Sequence, residues 1–221
     1  MILALDSATR WAGLALHNGT AVLAENCWQC LNNHTQELTP ALQNMMKRVN
    51  ITPDDLTAVA VAIGPGSYTG LRVGLALAKG LALTHKIPLI GVPTLDIVAA
   101  NFGAMDRQLV VVIEAGRSRM TAAGYQWQNK HGWQVQWGPK NGTWEELLTP
   151  LSGKILFAGE LTAERVKVLR RTNSQFQAAT PALSVRRPAV LAEIGWRRLH
   201  AGQTDAAAHL TPIYMRDPAG N

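Results

Sequence analysis

Two short segments hold residue types suited to phosphate or metal chemistry. Asp6-Ser7-Ala8-Thr9 closes an apolar run at the start of the chain. A carboxylate with hydroxyls beside it at a strand end can approach a metal-bound phosphate, although turns favour Asp and Ser for their own backbone hydrogen bonds. The second segment, Gly64-Pro65-Gly66-Ser67-Tyr68-Thr69-Gly70, lies between a β-branched run and a long helical pattern. Its glycines let the chain turn sharply and bring backbone N–H groups near an anion, which a helix N-terminus favours. No Lys-Ser or Lys-Thr follows as in a P-loop, and the glycine spacing is one residue too long for a dinucleotide fingerprint. A phosphate or nucleotide loop would use Asp6, Ser7, Gly64, Gly66 and Ser67. From spacing alone the glycines suit better a tight strand-to-helix connection chosen for packing.

Metal chemistry has weaker support. Cys27 and Cys30 are the only cysteines, and with His34 they could offer at most three ligands. Two small residues closing a strand account for them as well, and no strand-then-helix signal places Cys27 at a reactive helix N-terminus. The histidines are His17, His34, His85, His131, His200 and His209. No pair is spaced three or four apart, so the helical two-histidine metal motif is missing. No nucleophile elbow or zinc-deaminase signature appears either. The chain is expected to hold no metal and to have no catalytic centre of its own.

The elements that would position these residues follow from periodicity. Strands are predicted over 1–6, 11–17 and 20–25, the last two joined by an Asn18-Gly19 hairpin turn. Leu38, Ala41, Leu42, Met45, Met46 and Val49 keep helical spacing over 35–49, with Pro40 early enough to be tolerated. A strand over 56–63, a helix over 69–84, a strand over 87–91 and a helix capped by Thr94 complete a βββαβαβα order. The order then repeats. Strands are predicted over 108–114, 119–127 and 132–137, a Thr143-capped helix to 148, and a strand over 154–158. A helix over 161–171, a weak strand over 175–178 and a helix over 188–200 follow. The fold class is therefore α/β: a duplicated actin-like, RNase H-like (ASKHA) architecture of two lobes, 1–104 and 105–221.

Composition sets the frame. The 221 residues are 47% hydrophobic and 16% charged, ordinary for a globular protein. No basic leader precedes the first strand, and the most apolar stretch, 71–83, contains Arg72 and Lys79, so a cytoplasmic protein is expected. Net charge is +6. Residues 1–104 hold six basic and six acidic side chains, and residues 105–221 hold fifteen and nine. The doublets Arg170-Arg171, Arg186-Arg187 and Arg197-Arg198 make the second half a candidate surface for tRNA or an acidic partner, or simply a solubilising one.

The helix over 69–84 is apolar almost all round, as in helices buried on two faces. Gly70, Gly74, Ala78 and Ala82 fall four apart as a small-residue ridge, with Ala76 and Gly80 nearby. One face should pack on the lobe's own sheet, and the other needs a cover, either the Leu38 to Val49 helix or another protein.

Several segments resemble the bacterial TsaB family, also called YeaZ. They are Ile2 to Thr9, His34-Thr35-Gln36-Glu37-Leu38-Thr39-Pro40, Gly64 through Ala82, Gly91-Val92-Pro93-Thr94-Leu95 and Pro212-Ile213-Tyr214-Met215-Arg216. The resemblance implies a non-catalytic paralogue of TsaD that shares the duplicated actin-like fold and lacks the metal-binding histidine pair. It implies binding to TsaD through the two helices of the first lobe and work with the ATPase TsaE. The complex transfers threonylcarbamoyl to the tRNA adenosine beside the anticodon, with ATP and Mg used by other subunits. The partner face is expected at Leu38, Leu42, Met45, Gly70, Leu71, Gly74, Leu75, Ala78 and Lys79. A homodimer of the isolated chain and a tRNA contact through the basic second lobe are further expectations. The chain departs from the family at Glu114-Ala115-Gly116-Arg117, followed by Arg119 and Thr121, where Asp-Ala-Arg and then Glu and Tyr are usual. An actin-fold phosphotransferase acting on a small metabolite, suggested by Asp6 and the glycine loop, is the competing function.

Overall fold

Alternation along the first strands decides both layers of the first unit. The computed structural model describes residues 1–30, 33–116 and 119–215. Strand β1 (Ile2–Asp6) pairs antiparallel with β2 (Trp11–His17), which pairs antiparallel with β3 (Val22–Gln29). β3 runs on to Gln29, past the expected end at Glu25. Helix α1 (His34–Arg48) leads to β4 (Ala58–Gly64), α2 (Tyr68–His85), β5 (Leu89–Pro93) and α3 (Thr94–Ala99). β4 joins β1 and β5 joins β4, both in parallel, so the sheet order is β3-β2-β1-β4-β5. One face carries Leu3, Leu5, Leu14, Leu16, Val59 and Val61, and α1 and α2 cover it. The reverse face carries Ile2, Ala4, Ala15, Ala58, Ala60 and Ala62.

The second unit repeats the plan. β6 (Gln108–Glu114), β7 (Met120–Gln128) and β8 (Gly132–Gly142) form an antiparallel trio. Helix α4 (Trp144–Leu148) starts on a capping box in which Thr143 and Glu146 satisfy each other's backbone N–H groups. β9 (Ile155–Gly159), α5 (Ala163–Thr172), β10 (Phe176–Ala178) and α6 (Pro181–Ser184) follow. The order β8-β7-β6-β9-β10 is the first sheet's order again, strand for strand. Phe157, Phe176, Val110, Val112 and Leu169 form its core, with Phe157 edge-on to Trp144 and Phe176.

The last helix, α7 (Pro188–His200), corrects the expected boundary at residue 104. The compact units are residues 1–97 with 186–214, and residues 98–185 with Met215. The physical reason is the alanine face of the first sheet. Small side chains there let a helix approach closely, and α7 buries Ala189, Leu191 and Ala192 against it. A Cβ on Gly195 would stand only 2.6 Å from Ala60 Cβ. The charge division shifts with the boundary: the first unit holds ten basic and eight acidic residues, the remainder of the chain eleven and seven. The excess is thus not confined to the second unit.

Candidate functional site

The strand-end carboxylate is closed off by a residue from the far end of the chain. Asp6 is 2% exposed and Arg186 5%. Arg186 Nε donates to Asp6 Oδ2 at 2.8 Å, and its Nη2 donates to Thr9 Oγ1 at 2.7 Å. The other carboxylate oxygen, Oδ1, accepts the Ala8 N–H at 2.9 Å. Arg186 directly precedes Arg187, the N-cap of α7, so docking of that helix delivers the guanidinium.

The glycine loop is filled by the protein's own backbone. The Ser67 N–H donates to the Ala8 carbonyl at 2.6 Å, and a Cβ at Gly66 would collide with that same carbonyl. At Gly64, where φ is +111°, a Cβ would stand 2.5 Å from the Ile213 carbonyl. The space beside both glycines is therefore taken by backbone of the same unit. This corrects the expectation of a phosphate or nucleotide loop at Asp6, Ser7, Gly64, Gly66 and Ser67. The glycines serve close packing of the strand-to-helix connection.

The small-residue ridge also faces inward. A Cβ at Gly70 would meet the Ser7 carbonyl, and one at Gly74 would meet Ser7 Oγ. Ser7 Oγ donates to the Gly70 carbonyl at 2.8 Å, which locks α2 to the end of β1. Ala78 and Leu75 join Leu38, Leu42 and Met45 in the core under the sheet, and Leu71 joins the core of the alanine face. Eight of the nine residues expected to face a partner are therefore buried within their own unit, and Lys79 is half-buried. A ridge that meets backbone at contact distance inside its own fold has no room for a second protein.

The opposite side of α2 is open. Arg72, Ala76, Gly80 and Leu83 are exposed along it, Leu83 by 64%, with Val73, Leu77 and Leu81 half-buried beside them. A groove of about 340 Å3 runs between α1 and α2, lined by Thr35, Thr39, Val73, Ala76 and Leu77 among others. Gly80 has no atom within 4 Å of a would-be Cβ. At the N-terminal end of this face Arg72 lies 3.9 Å above the Tyr68 ring and donates through Nε to the Tyr214 hydroxyl at 2.9 Å. The Ile213 N–H donates to the Ile63 carbonyl at 2.7 Å, so the segment ending in Tyr214 straps across the sheet to reach α2.

The second unit closes its own strand-end acid. Arg165 Nη1 donates to Glu114 Oε1 at 3.1 Å, and the Glu114 N–H donates to Glu160 Oε2 at 2.8 Å. Of the departing segment Arg117 lies outside the described residues, as does Arg216 of the closing motif. Cys27 and Cys30 are free thiols. Burial pushes both thiols up, most of all by desolvation, which opposes thiolate chemistry. His34 Nε2 is engaged with the Thr9 carbonyl at 2.9 Å. Among the described residues no three His, Cys, Asp or Glu side chains gather as a metal site, and no helix is long and apolar enough to cross a membrane.

Residue spacing missed the role of Arg186, which pairs 180 positions away, and of Tyr68, Arg72 and Tyr214 on the outer face. The periodicity of Arg72, Ala76 and Gly80 was open to view; which of α2's two small stripes faced the sheet was not.

Two sheets of identical strand order, each with crossover helices and an acid ending its first strand, define the class as a duplicated actin-like, RNase H-like fold. Residues 29–219 match the family described as TsaD, tRNA N6-adenosine threonylcarbamoyltransferase. The tRNA threonylcarbamoyladenosine biosynthesis protein TsaB of Bacillus subtilis is 32% identical, over 97% of this chain and 93% of that protein. TsaB of Escherichia coli K12 is 31% identical, over 98% and 94%. A solved Pseudomonas aeruginosa structure, an uncharacterized protein with similarity to peptidase YEAZ, shares the fold at a TM-score of 0.77. It is 19% identical and covers 97% of this chain and 99% of that one. The chain belongs to the TsaB family of tRNA threonylcarbamoyladenosine biosynthesis proteins.

Proposed function

We propose that this chain acts in tRNA threonylcarbamoyladenosine synthesis as a non-catalytic subunit that supports a TsaD-like catalytic paralogue. The observation that carries this reading is the pairing of both strand-end carboxylates. In each unit the acid that ends the first strand is the residue best placed for a metal-bound phosphate, and in each an arginine holds it: Arg186 on Asp6 and Arg165 on Glu114. A carboxylate so neutralised is a poor ligand for a cation, and this argues equally against a small-metabolite phosphotransferase. ATP and Mg would be handled by other subunits, among them a TsaE-like ATPase.

The outer face of α1 and α2 is the proposed docking surface for the paralogue. It offers a groove, the small pair Ala76 and Gly80, apolar Val73 and Leu77, and the cationic Arg72 at one end. The same face could join two copies of the chain when the paralogue is absent. Reconstituted tRNA modification with purified TsaD-like and TsaE-like subunits tests the reading. Omitting this chain should abolish product, and Ala76→Arg, an exposed helix substitution, should do nearly the same while leaving the chain folded. Full product without the chain would refute the subunit role. Full product with Ala76→Arg would refute the docking face.

A further inference from the structure

We infer that the second unit carries a nucleotide-binding pocket between β8, α4 and the 150–152 loop, remote in sequence from every residue of the docking face. The pocket begins with an irregular ladder. β7 and β8 change register twice in succession, between Ala122 and Gly124 and again between Gly124 and Tyr125. Such irregularities re-aim side chains, and this one turns on Gly124, whose Cα partner is Trp137. A Cβ at Gly124 would collide with the Trp137 indole. The bare backbone there is a notch that seats the ring, so the indole is held in place.

Trp137 is half-buried, and it lines a cavity of about 510 Å3. That volume lies within the range of about 300–1,000 Å3 common to small-molecule sites. Pro150 and Leu151 add apolar walls, Gln108 adds an amide that can donate and accept, and Asn141, whose Oδ1 accepts from the Thr121 hydroxyl, adds amide donors. The Lys140 ammonium stands 5.8 Å from the indole centroid. A fixed aromatic face, amides and a neighbouring cation together fit a planar base bearing a phosphate. The carboxylate among the lining residues, Glu146, accepts the Thr143 N–H at 2.8 Å and is held to the start of α4. Gln108 is fixed at its backbone, where its N–H donates to the Lys154 carbonyl at 3.2 Å. The chain outside the first unit holds eleven basic against seven acidic residues, which favours an anionic ligand. The ligand is a nucleotide, either free or at an unpaired position of an RNA.

Titration calorimetry on the full chain tests the pocket with AMP, adenosine and a hexa-adenylate RNA. AMP or the RNA should bind, and Lys140→Glu should weaken the phosphate-bearing ligand about tenfold while leaving adenosine unchanged. Trp137→Ala should weaken all that bind by about tenfold or more, and Trp137→Phe, which keeps a ring and guards against loss of folding, should retain most of the affinity. Binding of AMP identifies a free nucleotide as ligand, and binding of the RNA alone identifies an RNA nucleotide. No binding of either below about 1 mM overturns the proposal, as does binding that Lys140→Glu and Trp137→Ala leave unchanged. The titration needs no other subunit, so its failure beside intact tRNA modification would remove the pocket and leave the subunit role standing.

Discussion

Two glycines six positions apart on α2 give opposite expectations for the same substitution. Gly80 sits on the outer face with open space where a Cβ would be. In an exposed helix interior, Gly→Leu gains about 0.7–1 kcal/mol of helix propensity. For a chain of this size that raises the melting temperature by about 2–4 °C. If the outer face receives a partner helix, however, the new side chain holds it off at the position of closest approach. Overpacking of about 1–3 kcal/mol corresponds to roughly one to two decades in Kd. Gly74→Leu places the same side chain against Ser7 Oγ inside the unit. There the overpacking adds to loss of the bond from Ser7 to the Gly70 carbonyl, about 0.5–1.5 kcal/mol, and outweighs the propensity gain. A net loss of about 1–3 kcal/mol lowers the melting temperature by roughly 2–10 °C. Thermal unfolding of each variant alone, and titration of each against the TsaD-like paralogue, separate the cases. Wild-type affinity in Gly80→Leu would refute the outer docking face. Preserved melting with lost binding in Gly74→Leu would show that the small ridge itself meets the partner.

Three other outcomes follow from the same geometry. Arg186→Met strands a carboxylate that is 2% exposed, so unfolding should become easier by about 3–5 kcal/mol, and adding Asp6→Asn should restore most of the loss in denaturant titrations; equal stability of the single variant and wild type would refute the pairing. Glu37 lies below the usual carboxylate range, chiefly because Trp28 Nε1 donates to it at 2.7 Å. Its stabilisation is therefore complete above the unfolded carboxylate pKa and lost as pH falls through the lower folded value, and Trp28→Phe should flatten stability between those limits; an unchanged acid profile would count against it. Charge reversal at the exposed pair Arg170 and Arg171 should weaken tRNA binding and shrink its salt dependence, by a slope of up to about 0.9 for each phosphate left unneutralised, whereas unchanged slopes would mark a solubilising surface.

The sequence displays what depends on neighbours along the chain and conceals what depends on distant partners. Period-two alternation in Ile2-Leu3-Ala4-Leu5 and Ala58-Val59-Ala60-Val61 announced strands with two unlike faces, and the βββα order could be read twice from such local signals. Ala4, Ala58 and Ala60 even show that one face awaits a closely packed helix, but nothing in them says that the helix is Pro188–His200. The same limit governs the site. An acid at the end of each first strand is visible at Asp6 and Glu114, and it invites a phosphate chemistry that the pairing with arginine opposes. The two pairings are not copies of one another. Arg165 comes from α5, the helix that follows the fourth strand of its unit, whereas Arg186 comes from the segment entering α7, after the whole second unit has been traversed. Because these arginines come from non-equivalent elements, no repeat in the sequence links either one to its acid. Each carboxylate is nevertheless held by a cation within its own unit, so two non-equivalent elements reach the same pairing at the end of a first strand.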